Sequence, residues 1–149
     1  MPDKLPKLKF STKEHSQSFK NEFAPSKAAF YDKNPAFSFV HYQHHHKQYS
    51  AKHIIDYKDF HIMFERLQAM SQLKWKDIIN TPQMYHCHPI NWSKTPEVHG
   101  FNLLPPALNE APPWQFKSFK ECRIIGFFNQ NSVFELVWID RDHKACPRK

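Results

Sequence analysis

Two apolar runs near the carboxy-terminal end constrain this chain more than any other feature. Arg123-Ile124-Ile125-Gly126-Phe127-Phe128 and Val133-Phe134-Glu135-Leu136-Val137-Trp138-Ile139 are separated by Asn129-Gln130-Asn131-Ser132 and followed by Asp140-Arg141-Asp142-His143-Lys144. Amide side chains tolerate turn conformations and the flanking residues favour strands, so the segment is predicted to be a hairpin. Pairing across a loop of Asn129 to Ser132 sets Phe128 against Val133, Phe127 against Phe134, Ile125 against Leu136, Ile124 against Val137 and Arg123 against Trp138. Both faces are then mostly apolar. A strand of a one-sided sheet alternates apolar and polar residues, so these two are predicted to be interior strands covered on both sides.

A chain of 149 residues is long enough for one domain with a real core and short for two. The formal charge of +7 favours a polyanionic partner, because positive charge near phosphates gains Coulomb energy and releases counterions; it is equally compatible with a role in solubility alone. Three cysteines, Cys87, Cys122 and Cys146, cannot all pair within the chain and do not form the framework of a secreted disulfide protein. Charges interrupt every apolar stretch of the first ten residues, and no run approaches membrane-spanning length. The expectation is a cytoplasmic protein with no membrane partner.

Residues 1–29 are rich in Lys, Ser, Asn and Pro and hold no period of 2 or 3.6, which predicts a basic, partly ordered arm that docks through scattered Phe residues or wraps nucleic acid. Residues 30–149 are predicted to be a single α+β domain. Its first strand runs from Ala36 to Tyr42, followed by a histidine tract, His41, His44, His45 and His46, read as a solvated loop ahead of a metal site. Asp56 caps a long helix to about Leu73, with Phe60, Met63, Phe64, Leu67 and Met70 on one face. A shorter helix from Lys74 to Asn80 carries Trp75, Ile78 and Ile79 and stops at Thr81-Pro82. Gln83 to Pro113 is an irregular, proline-rich loop, with a short helical turn possible between Phe101 and Leu108. Trp114-Gln115-Phe116-Lys117-Ser118-Phe119 alternates and precedes the hairpin. The predicted fold is a small antiparallel sheet with a C-terminal meander and one long and one short helix packed on one side.

Ionisable groups converge on one end of that hairpin. Asp140, His143 and Lys144 follow the last strand, Arg123 opens the preceding one, and the long loop contributes His86, His88 and His99. The set suits metal-independent RNA cleavage with no cofactor. A base takes the proton of a ribose 2′-OH, an acid protonates the leaving 5′-oxygen, and cations stabilise the phosphorane. Histidine serves both proton transfers, Asp140 is a candidate to orient a histidine, and Arg123 and Lys144 are candidates to hold charge. DNA lacks the nucleophile, so the substrate is RNA. Two other readings stay open. His86, His88, His143, Cys146 and Cys87 offer N and S ligands for a structural zinc, although their spacing matches no common finger. The same cluster also fits a non-catalytic module that binds nucleic acid or protein. Glu135, on an apolar face across from Gly126, is a further acid–base candidate or an edge-facing structural residue.

The closing pattern, Arg-Ile-Ile-Gly-Phe-Phe, a turn, Val-Phe-Glu-Leu-Val-Trp-Ile-Asp and then His143-Lys144, resembles the closing hairpin of the small RelE/ParE-like toxins. The resemblance covers the last third of the chain. It implies helices packed on a small antiparallel sheet, ribosome-dependent mRNA cleavage in the RelE branch, and a partner antitoxin. The basic arm, the greater length and the inserted loop depart from that pattern.

Overall fold

A computed structural model describes residues 28–147. The predicted arm falls outside the described residues except at its end, where α1 (Ala28–Tyr31) leads into the domain. Phe30, in α1, is buried and stacks on Phe128, with ring centroids 4.2 Å apart.

The fold is α+β. Five strands form one sheet in the order β1-β5-β4-β3-β2: β1 Phe37–Ser38, β2 His88–Pro89, β3 Trp114–Lys117, β4 Arg123–Phe128 and β5 Phe134–Asp140. β2 through β5 pair antiparallel, giving the expected meander of β3, β4 and β5, whereas β1 lies parallel to β5, so the sheet is mixed. The predicted first strand contracts to two residues, and the chain after it binds β5 through single bonds, Gln43 N–H to the Val137 carbonyl and Ile139 N–H to the Tyr49 carbonyl.

Every residue of β4 and β5 is buried, as the apolar pattern on both faces requires. One face carries the helices. α2 (Tyr57–Ser71) begins at Asp56, whose side chain accepts from the Lys58 N–H, and presents Met63, Leu67 and Met70; α3 (Trp75–Ile79) inserts Trp75 and Ile78. Phe64, expected on the same stripe, is 60% exposed, because the packed stripe of α2 is Asp59, Met63, Leu67 and Met70. The other face carries the long irregular segment. α4 (Pro82–Tyr85), which opens that segment, still turns Tyr85 into the helix-side core; beyond it Ile90, Phe101, Leu108 and Ala111, with Tyr49, close over Ile125, Phe127, Val137 and Trp138, and α5 (Pro106–Asn109) is a helical turn of this layer. Each fully buried large side chain in these layers contributes about 1.5–3 kcal/mol of transfer free energy.

The hairpin register differs from simple pairing. Phe128 faces Phe134, Gly126 faces Leu136, Ile125 faces Trp138 and Arg123 faces Asp140, with an irregularity at Ile125/Gly126. Val133 belongs to the turn: Asn129 Oδ1 accepts from the N–H groups of Asn131 and Val133, and Ser132 sits at φ 62°. Val137 is the extra residue of a bulge, which moves the far end of β5 a second place relative to β4. Glu135 is tied to the same turn, its Oε1 accepting from Asn129 Nδ2 at 2.9 Å.

Gly126 sits where the bulge crowds the backbone, and a Cβ there would lie 1.9 Å from the Glu135 carbonyl oxygen. Gly126→Ala is expected to destabilise the domain by about 3 kcal/mol or more, the upper end of overpacking costs, read as a lowered urea midpoint at unchanged slope.

Candidate functional site

Register fixes one edge of the site. On the face covered by the irregular segment, Lys117 pairs with Arg123, which pairs with Asp140; one row along, His88 pairs with Gln115, which pairs with Ile125. Arg123 is 1% exposed, and its Nη1 donates to the Glu121 carbonyl at 3.0 Å and the Cys122 carbonyl at 3.4 Å.

Beyond β5 the chain is turned by Asp140. Its carboxylate is buried and accepts from the N–H groups of Lys144 (3.0 Å) and Ala145 (2.8 Å), and His143, within the turn this closes, sits at φ 57°. Burial pushes the Asp140 carboxyl above the usual carboxylate range, and the two N–H donors pull in the opposite direction. His86 and His88 arrive from across the sheet edge. His86 caps α4 in the left-handed region, at φ 44°, and the chain then alternates, so that Cys87 enters the helix-side core while His86 and His88 face the other way.

The result is a pocket of about 160 Å³ lined by His86, His88, Gln115, Arg123, His143, Cys146 and Pro147. Four of the seven residues expected from sequence therefore meet there. The others do not. His99 is exposed elsewhere, its carbonyl accepting from Asn109 Nδ2, and it leaves the constellation. Lys144 is exposed and contributes a backbone N–H, with its side chain outside the pocket lining. Asp140 acts on the backbone of the turn; the carboxylate beside the His143 ring is Glu121, with Oε2 3.6 Å from Nδ1. Gln115 and Cys146 are also additions.

His143 is 9% exposed, and its Nε2 is buried with no hydrogen-bond partner among the described residues. Burial and the Arg123 guanidinium hold its pKa below the ordinary imidazole value, against the opposing charges of Asp140 and Glu121. The imidazole is thus held neutral near pH 7, with one nitrogen toward Glu121. His88 is engaged at both ring nitrogens, Nδ1 with the Pro89 carbonyl (2.9 Å) and Nε2 with Gln115 Nε2 (2.9 Å). Burial raises the Cys146 thiol, and Cys87 and Cys122 are each pushed up to about 12, so none is poised as a thiolate nucleophile. Among the described residues no group of three or more His, Cys, Asp or Glu is placed to hold a metal ion, and Cys87 points away from the two histidines.

A second groove, of about 490 Å³, surrounds Asp59, which is already neutralised by Lys120 Nζ at 3.3 Å and Arg141 at 3.9 Å. It offers no unpartnered buried group comparable to His143. No helix among the described residues is long and apolar enough to cross a membrane.

Comparison of the chain with protein-family models, curated proteins and solved structures finds no match. Function therefore has to be read from the chemistry of the pocket.

Asparagine tolerates the left-handed backbone, so His143→Asn is expected to keep the fold. Because the folded pKa of His143 is lowered, the unfolded chain binds the extra proton first as pH falls. The contribution of the neutral imidazole is complete above the ordinary value of 6.5 and declines below it. The stability of wild type relative to His143→Asn, measured by urea unfolding, should fall from pH ~7 to pH ~5, whichever of the two is the more stable at neutral pH. A constant difference would contradict the assignment. Asp140→Ala should cost about 1–3 kcal/mol at neutral pH through two orphaned N–H groups.

Proposed function

We propose that the chain is a metal-independent, toxin-like endoribonuclease that cleaves RNA by histidine acid–base chemistry. The observation that carries this reading is the buried, unpartnered Nε2 of His143 in a pocket shared with Arg123, His86 and His88. In the proposed reaction His143 Nε2 takes the proton of a ribose 2′-OH, with Glu121 orienting the ring through Nδ1. The 2′-oxygen attacks its own phosphorus, the P–O5′ bond breaks, and His86 supplies the proton to the departing 5′-oxygen. The products are a 2′,3′-cyclic phosphate and a 5′-hydroxyl. Arg123 stabilises the negative charge that builds on the phosphorane oxygens. His88, held at both nitrogens, positions Gln115 instead of transferring a proton.

The lowered pKa of His143 supports its role as base, since a neutral imidazole is the form that accepts a proton. The net charge of +7 supports RNA as the partner. The resemblance of the closing hairpin to RelE-like toxins adds two proposals, the ribosome as the place where RNA is presented and an antitoxin protein as inhibitor.

Purified protein incubated with RNA in excess EDTA, alone and with ribosomes, tests the reading. Cleavage should leave 2′,3′-cyclic phosphate ends, spare 2′-O-methyl RNA, and fall about 10²–10⁴-fold in His143→Asn. The acid limb of its pH profile should lie below 6.5, the ordinary imidazole value. Intact RNA under both conditions would leave a non-catalytic basic module as the function.

A further inference from the structure

A second unsatisfied group lines the same pocket. Gln115, in β3, is 2% exposed, and its Oε1 is buried without a hydrogen-bond partner. Orphaned acceptors of this kind are uncommon in folded proteins, because each forfeits hydration without compensation. Here it lines the same pocket as the residue that carries the orphaned imidazole nitrogen, His143.

Which end of the amide faces the pocket follows from His88. The Pro89 carbonyl can only accept, so His88 Nδ1 must carry the proton it receives. In the neutral imidazole Nε2 then holds the lone pair, and the Gln115 atom 2.9 Å from it must be the amide N–H donor. Oε1 is left as an acceptor. Gln115 and Arg123 lie on one face of adjacent strands, one row apart, because Gln115 pairs with Ile125 and Lys117 with Arg123. Two residues along a strand is about 7 Å, the reach from a phosphate across its ribose to the base.

We infer that Gln115, oriented by His88, is a specificity-determining residue that accepts a hydrogen bond from the exocyclic amino group of a nucleobase, N4 of cytosine or N6 of adenine. The inference rests on the reading of this pocket as an RNA site and names the part of the substrate it selects. Uracil and hypoxanthine present a carbonyl at the corresponding position. Two lone pairs would then face each other in a buried site, and Gln115 Oε1 would stay unsatisfied.

Isothermal titration of the full chain with 3′-nucleotides, at about pH 8 where imidazoles are neutral, reads the preference without requiring turnover. The 3′-monophosphates of cytidine and adenosine should bind at least about tenfold tighter than those of uridine and inosine. In Gln115→Leu that ratio should fall to near one, with near-ultraviolet circular dichroism checking that the variant is folded. If the variant does not fold, the wild-type ratio decides alone. Equal affinities, or a preference for the keto bases, would overturn the inference even where RNA is cleaved and His143→Asn abolishes cleavage. Discrimination between the bases with no cleavage would keep the inference and remove the catalytic reading. Failure of all four nucleotides to bind would overturn both.

Discussion

Val137 is one residue more than β5 needs to match β4, and much of the site's layout depends on it. The bulge shifts the end of β5 relative to β4, so that Arg123 faces Asp140 where pairing continued unbroken from Phe128 and Phe134 would set it against Ile139. A buried cation and a buried carboxylate thereby share the end of one ladder. The Val137 carbonyl is not lost to the sheet, since it accepts from Gln43 N–H at 3.1 Å and anchors the chain that follows β1. Opposite, the absence of a side chain at Gly126 makes room for the Glu135 carbonyl. The irregularity and its accommodation are therefore both written in the chain, as an extra residue in one strand and a glycine in the other.

From that ladder end the electrostatics follow in sequence. Asp140, short of water, finds its donors in the backbone of the next turn, and in doing so folds Lys144 and Ala145 back toward the sheet. His143, just before them in the turn, is carried into the pocket. Its ring feels Arg123 on one side and the charges of Asp140 and Glu121 on the other, but desolvation is the largest influence and sets the direction. The same burial keeps Cys146 a thiol. A neutral imidazole with a carboxylate at Nδ1 and a buried, unpartnered Nε2 has the chemistry the proposed general base needs, and Arg123 supplies the positive charge that reading requires in the same pocket.

Where sequence and structure agree, the local pattern was sufficient. Apolar residues on both faces of the hairpin demanded two covering layers, and Asp56 followed by a helical stripe located α2. Much of the site was not legible in that way. Gln115 sits in Trp-Gln-Phe-Lys, which reads as a strand with a solvated face, because the layer that buries it is an irregular segment with no period to announce it. His86 and His88 belong to that segment as much as His99 does, and only the pairing of β2 with β3 separates the two that reach the pocket from the one that does not. Glu121 carries no motif. It is recognisable only once Arg123 and His143 are placed, since it precedes the first by two residues and meets the second through a turn.

His143 concentrates two penalties. A non-glycine residue in the left-handed region costs on the order of 1–3 kcal/mol where the surroundings enforce it, although histidine, like asparagine, is met there more often than most. An unpartnered buried nitrogen costs a similar amount again. Asparagine or glycine would relieve the first, and a small apolar side chain would remove the second. Asp140 would hold the turn in either case, because it binds the N–H groups of Lys144 and Ala145 and not the ring. The imidazole thus contributes little to the fold that a cheaper residue would not, and its unpartnered nitrogen shares a pocket with Arg123 and His86. Such a combination is what a proton acceptor at a reaction centre requires: a group kept from satisfying itself until substrate arrives.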